Sequence, residues 1–134
     1  MSHQDDIERF EQQREYFENA LSRLGEVLAL DENDVVRDSI IQRFGFTFEM
    51  ACKTMFRYLT DKGERVAAKA WDVLPVAFAS LLIEDAETWD KMREYRNETS
   101  HEYNQVKARE VACFVRAKAY QALCALRAEL ARRV

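Results

Sequence analysis

The stretch Ile40-Ile41-Gln42-Arg43-Phe44-Gly45-Phe46-Thr47-Phe48-Glu49-Met50-Ala51-Cys52-Lys53-Thr54-Met55-Phe56 decides the fold of this chain. Wound at 3.6 residues per turn, Ile40, Ile41, Phe44, Phe46, Phe48, Met50, Met55 and Phe56 cover several faces. A helix that is apolar nearly all round is a central one. The pattern predicts a helix over residues 35–61, capped by Asn33 or Asp34 in the polar turn Asp31-Glu32-Asn33-Asp34, and ended by Gly63 in the left-handed conformation. Its polar exceptions, Gln42, Glu49 and Lys53, fall on one side. Glu49 and Lys53 stand four apart with the acid first, the favourable order for a helical ion pair. They are either a structural pair or the lining of a groove for a partner or ligand.

On the N-terminal side, Ile7, Phe10, Phe17, Leu21, Leu24 and Leu28 recur at three- and four-residue steps, with Arg14 in one slot. That narrow seam predicts a helix over 5–29 that packs against another helix. Gly25 inside it costs about 1 kcal/mol relative to Ala. On the C-terminal side, residues 64–70 show no clear pattern. Asp72 is expected to cap a third helix, with Pro75 in its first turn, where a missing N–H does no harm. Val76, Phe78, Ala79 and Leu82 would then point inward. Asp85 is expected to cap a fourth helix, running through Trp89, Met92 and Arg96 toward Ser100. Asn104 is expected to cap a fifth, about 105–131, with Val111, Phe114, Val115, Leu123, Leu126 and Leu130 as its apolar stripe. The fold class is all-α: an up-and-down bundle of four to five helices forming one domain over residues 1–134.

Composition agrees. In 134 residues there are 3 Gly and 1 Pro, so helix breakers are scarce. A hydrophobic share of 48% with 33% charged residues suits a soluble bundle that buries its core without a metal or disulfide staple. No uninterrupted apolar run has the length of a membrane span, and the N-terminus lacks the basic and apolar regions of a secretory signal. Cys52, Cys113 and Cys124 are odd in number and without CxxC spacing, and read as reduced, helix-packed thiols. These features point to the cytoplasm. Cys113 and Cys124, eleven residues apart, would share a helix stripe too far apart to bridge. The net charge of −4 hides an asymmetry: residues 1–34 carry 10 acids and 3 bases, residues 105–134 carry 7 bases and 2 acids. Either the first and last helices lie together and complement each other, or the basic end offers a strip to nucleic acid or an acidic partner.

Chemistry concentrates at Arg96-Asn97-Glu98-Thr99-Ser100-His101-Glu102-Tyr103, which holds the sole histidine beyond the first few residues. The sequence has no metal-ligand motif, phosphate-binding glycine loop or Ser-His-Asp pattern. No metal or other cofactor is expected. On an unbroken helix Arg96 and His101 stand about 140° apart, so they converge only where the helix ends or loosens near Ser100. Asn97 and His101 are i,i+4 neighbours, which lets Asn97 orient the imidazole. An Arg and a His without metal suit RNA cleavage. The His can take the 2′-hydroxyl proton or protonate the leaving oxygen, and the guanidinium can hold the phosphate and its extra transition-state charge. The blander reading is a capping His beside a salt-bridged surface Arg.

Arg96-Asn97-x-x-Ser100-His101-x-Tyr103 resembles the Rx4HxY motif of HEPN-domain proteins. The blocks Ile41-Gln42-Arg43-Phe44-x-Phe46-Thr47-Phe48-Glu49-x-Ala51-x-Lys53 and Ala77-Phe78-x-x-x-Leu82-Ile83-x-Asp85-x-x-x-Trp89 resemble the branch described as nucleotidyltransferase substrate-binding proteins. The resemblance implies a helical bundle, a homodimer and a minimal nucleotidyltransferase partner. It further implies a metal-independent RNase toxin with Arg96 and His101 catalytic, Asn97 and Ser100 supporting, and Tyr103 as the hydroxyl that the partner adenylylates. An added AMP would bring negative charge beside the arginine that must bind RNA phosphate. Gly45 departs from this branch, which commonly has an acid there, and so does Cys52, where it commonly has Trp. Arg93, Glu49 and Lys53 are candidates for the surrounding groove or partner surface. In a dimer, Arg93, Arg96, Lys107 and Arg109 would add positive charge around one cleft. A subunit that binds nucleotide or substrate for the nucleotidyltransferase without cleaving RNA is the alternative that the same residues allow, and a purely structural dimerisation bundle is a third.

Overall fold

A computed structural model describes residues 3–66, 72–98 and 104–134. The elements are α1 (His3–Leu28), α2 (Asp34–Asp61), α3 (Val73–Ala79), α4 (Ala86–Glu98), α5 (Gln105–Phe114), a π-helical turn (Val115–Ala119) and α6 (Tyr120–Arg133). The fold is an all-α helical bundle. Among the described residues, no helix is long and apolar enough to cross a membrane.

α1 and α2 form an antiparallel hairpin. The Phe10 and Tyr58 rings lie 5.8 Å apart at one end, and Arg43 Nη1 donates to the Arg23 carbonyl at 2.7 Å toward the other. Between them the Thr47 hydroxyl is shared by the carbonyls of Ala20 (3.2 Å) and Arg43 (2.6 Å). The Thr54 hydroxyl is likewise shared by those of Gln13 (3.2 Å) and Met50 (2.8 Å). Both threonines are fully buried, so these bonds spare the cost of an unpaired polar group in the core.

α2 touches every other helix, as its all-round apolar sequence predicts. Ile40, Phe44, Phe48, Ala51, Met55 and Leu59 lie within the core, and Phe48 meets the fully buried Trp89 of α4 at 6.1 Å between centroids. Phe46, however, does not join the core. It stands 53% exposed, because α1 and α4 flank α2 and leave a strip uncovered between them.

The caps follow the sequence at three of four places. Asn33, Asp85 and Asn104 accept backbone N–H bonds from Val36, Thr88 and Lys107 at 2.9, 3.1 and 2.8 Å. Asp72 makes no side-chain cap, since its backbone is already helical. α3 is also rotated from expectation. It buries Val73, Leu74 and Ala77, leaves Val76 and Phe78 half-buried and exposes Ala79, with Leu82 inside beyond the turn. Gly63 takes φ +89°, as a left-handed residue closing α2 does. Leu81, in the turn after α3, has φ +63° although it is not glycine.

The last helix is continuous but not uniform. The π turn absorbs one extra residue, so Val111, Val115, Ala119, Leu123, Leu126 and Leu130 all stay on the core side. The same widening separates Cys113 from Cys124 by roughly 80° of helix azimuth. Cys113 is exposed rather than packed, Cys124 is half-buried and Cys52 is buried. The charge asymmetry is met in part by direct pairing. Arg116 on the π turn bonds Glu32 at 3.1 Å and the Leu28 carbonyl at 2.8 Å. Arg37 reaches the other Glu32 oxygen at 2.9 Å.

Candidate functional site

Arg96 sits in the last turn of α4 and lies across α2 over Gly45. A Cβ built on Gly45 would come within 2.9 Å of Arg96 Cδ and 3.1 Å of its Nε, so only glycine admits the stem in this position. Arg96 Nη2 stands 4.0 Å from Glu49 Oε2, one turn along α2, with both side chains about 40% exposed (38% and 42%). The Glu49–Lys53 pair expected from spacing is thus replaced by a contact between helices. Lys53 is exposed and turns to a neighbouring cleft with Tyr16, Phe46 and Met50.

Arg96, Gly45 and Glu49 form one wall of an open groove of about 830 Å³. Gln42 and Phe46 lie along its α2 side, and Arg23 of α1 closes the opposite edge. The groove is polar and apolar in similar measure and solvent-open, so a guanidinium here reaches ligand without crossing the core. Arg93, one turn back on α4, is half-buried and does not line it, and Asn97 is exposed at the end of the helix. Ser100, His101 and Tyr103 lie outside the described residues.

Both sides of that segment are held to each other. The Tyr95 hydroxyl donates to Glu110 Oε2 at 2.7 Å, Lys107 Nζ approaches the same oxygen at 3.1 Å, and the Tyr95 ring packs on Phe114 at 5.1 Å. The Tyr95 hydroxyl and the Lys107 ammonium hold the Glu110 carboxyl below its ordinary range. Lys91 and Lys107 also stand over the Tyr95 ring at 5.1 and 5.2 Å, so the end of α4 and the start of α5 carry a cation-rich junction. Below the groove, Cys52 is sealed from solvent. Burial, with the Glu49 charge adding to it, pushes its thiol up to about 12, which leaves it an inert packing group.

Sequence reasoning pointed to Arg96, Glu49 and Gln42 and missed Arg23 and Phe46. Phe46 was hidden among apolar neighbours, and Arg23 among the charges of α1. The one available signal was Gly45, a helix-interior glycine set among a run of aromatics.

An all-α bundle with a half-exposed arginine held over a groove on its central helix places the chain among small helical domains. The family model for nucleotidyltransferase substrate binding protein-like proteins matches residues 12–132. A crystal structure of a protein from Thermus thermophilus is similar at 33% identity and a TM-score of 0.72, covering 87% of this chain and 97% of that one. No curated protein matches. The chain belongs to the nucleotidyltransferase substrate-binding protein-like family.

Proposed function

We propose that this protein is a HEPN-type toxin that cleaves RNA without a metal and works in the cytoplasm as a homodimer beside a nucleotidyltransferase. The observation that carries this reading is Arg96, laid over Gly45 at the mouth of an 830 Å³ groove where a phosphodiester can reach its guanidinium. In this scheme Arg96 holds the scissile phosphate and offsets the charge that grows in the transition state. His101 withdraws the 2′-hydroxyl proton, that oxygen attacks phosphorus as the bond from phosphorus to the 5′-oxygen breaks, and the proton held on the imidazole passes to the departing 5′-oxygen, leaving a 2′,3′-cyclic phosphate and a 5′-hydroxyl. Asn97 and Ser100 orient the imidazole. Adenylylation of Tyr103 by the partner would place a second phosphate beside Arg96 and silence it.

The Arg96–Glu49 contact favours a second reading. An arginine already balanced by a carboxylate suits reversible binding of a nucleotide that the partner enzyme then uses. RNA incubated with the pure protein in EDTA separates the two. Cleavage that Arg96→Ala and His101→Ala each abolish, with helicity retained, supports the toxin. Nucleotide binding without cleavage supports the binding subunit. Mass spectrometry with ATP, Mg²⁺ and the nucleotidyltransferase tests Tyr103, and an AMP-sized gain persisting in Tyr103→Phe rejects that site.

A further inference from the structure

The Arg96 groove does not end at Arg23. Ala20, Arg23 and Phe46 also line an adjoining cleft of about 430 Å³ that continues past Tyr16 to Lys53. Phe46 and Tyr16 are 53% and 50% exposed, on neighbouring helices. Two half-exposed aromatic rings cost solvation and contribute no core packing. Arg96 and Arg23 line the groove, with the carboxylates of Glu49 and Asp38 on the same wall, and Arg23 and Lys53 line the adjoining cleft beside the two rings. Beyond Tyr16 the surface turns acidic, with Glu11, Glu15 and Glu18 lining the next hollow on α1.

We infer that Phe46 and Arg23, with Tyr16 and Lys53, form a binding track for single-stranded RNA that leads into the Arg96 site. The inference rests on the RNA-directed reading above. Every base has a π-face, so exposed rings take stacked bases without regard to sequence, and cations lining the same clefts meet the phosphates. A duplex offers no unstacked bases to these rings. The carboxylates of α1 repel the backbone at the far edge, so the strand runs from α4 across α2 and stops at α1. Phe46 is the stacking platform nearest Arg96, and Arg23 is the second phosphate contact.

The test uses the full chain and a fluorescein-labelled 2′-O-methyl RNA oligonucleotide of about 12 nucleotides, which has no free 2′-hydroxyl to attack and stays intact. Anisotropy is read over a salt series. Phe46→Ala is expected to weaken binding by about 5- to 150-fold with an unchanged salt slope. Phe46→Trp is expected to restore binding and to show indole quenching on saturation. Arg23→Ala is expected to flatten the log–log salt slope by about 0.7, the effect of one lost phosphate contact on a single strand. If Arg96→Ala loses binding while Phe46→Ala and Arg23→Ala bind like the parent, the track is overturned and the Arg96 reading stands. If the parent itself fails to bind, the RNA reading falls and the track with it. If sedimentation shows that Phe46→Ala changes the oligomeric state as binding is lost, Phe46 belongs to a contact between copies and the track is rejected.

Discussion

Arg96 occupies the space that a side chain on Gly45 would fill, with Cδ only 2.9 Å from the site of a Cβ. The arginine therefore lies flat on α2 instead of swinging into solvent. Gly45→Ala removes a helix-interior glycine, which by itself stabilises by about 0.5–1 kcal/mol. The clashing atoms belong to a flexible stem, so the helix keeps its place and the arginine moves. We expect an unchanged or raised Tm together with a loss of about tenfold or more in RNA binding or cleavage, the scale of one charge-assisted hydrogen bond. Thermal melts paired with assays in EDTA check this, and full activity in Gly45→Ala would show that the seat of Arg96 is immaterial.

Gly25 and Tyr120 stand in a similar relation inside the scaffold. A Cβ on Gly25 would meet the Tyr120 hydroxyl oxygen at 2.8 Å, while the ring carbons stay at ordinary contact, 3.5 Å or more. The glycine is kept by one oxygen atom. Gly25→Ala is expected to destabilise or at best break even, because ring displacement offsets the helix-propensity gain of about 1 kcal/mol. In a Tyr120→Phe background the same substitution should stabilise. Urea titrations of the four variants give the coupling, and strict additivity would contradict the contact.

Leu81 adopts φ +63° with its side chain 67% exposed. A left-handed backbone costs a Cβ-bearing residue roughly 1–2 kcal/mol, and this leucine recovers little by packing. Glycine removes that strain but adds freedom to the unfolded chain, worth about 0.5–1 kcal/mol. Leu81→Gly is expected to raise stability modestly, by about 0.5 kcal/mol or slightly more. A clear fall in Tm would mean that the leucine side chain holds the turn.

Acid should weaken the contacts that Glu129 makes at the C-terminal end. Hydrogen bonds from Arg132 and Arg133 bring the Glu129 carboxyl down to about 2 from an ordinary 4.5. A carboxyl depressed in the folded state contributes fully above its unfolded value and loses that contribution as pH falls through its folded one. The loss therefore falls between about pH 4.5 and pH 2. At Glu32 burial opposes ionisation, but the bonds from Arg37 and Arg116 outweigh it and hold that carboxyl low as well. Tm measured across this window should drop less steeply in Glu129→Gln than in the parent; parallel curves would refute the assignment.

Helix existence, three caps and the central place of α2 were legible because each rests on local chemistry: spacing of apolar groups, Asn and Asp oxygens, a glycine after the last turn. What failed depended on neighbours. An aromatic on α2 reads the same whether α4 covers it or not, so Phe46 looked like core. Asp72 had a capping side chain but no extended backbone to cap from, and α3 turned its Val73–Leu74 edge inward instead. Glu49 had a local partner at i+4 and took a distant one, since only folding brings Arg96 alongside. At the site, Arg96 and the character of α2 could be read in one dimension. Arg23 could not, being one charge among many until the α1–α2 hairpin sets it at the groove edge.

The widened turn at Val115–Ala119 divides a single rod into two segments whose azimuths are set separately. The first segment answers to α4, through Tyr95, Glu110 and Phe114, and the second to Tyr58 of the hairpin, whose ring lies 5.8 Å from the Arg133 guanidinium, and to the turn after α3, whose Ser80 carbonyl Arg133 bonds. Wound without that extra residue, the rod would carry Leu123, Leu126 and Leu130 about 100° away from the core side that Val111 keeps.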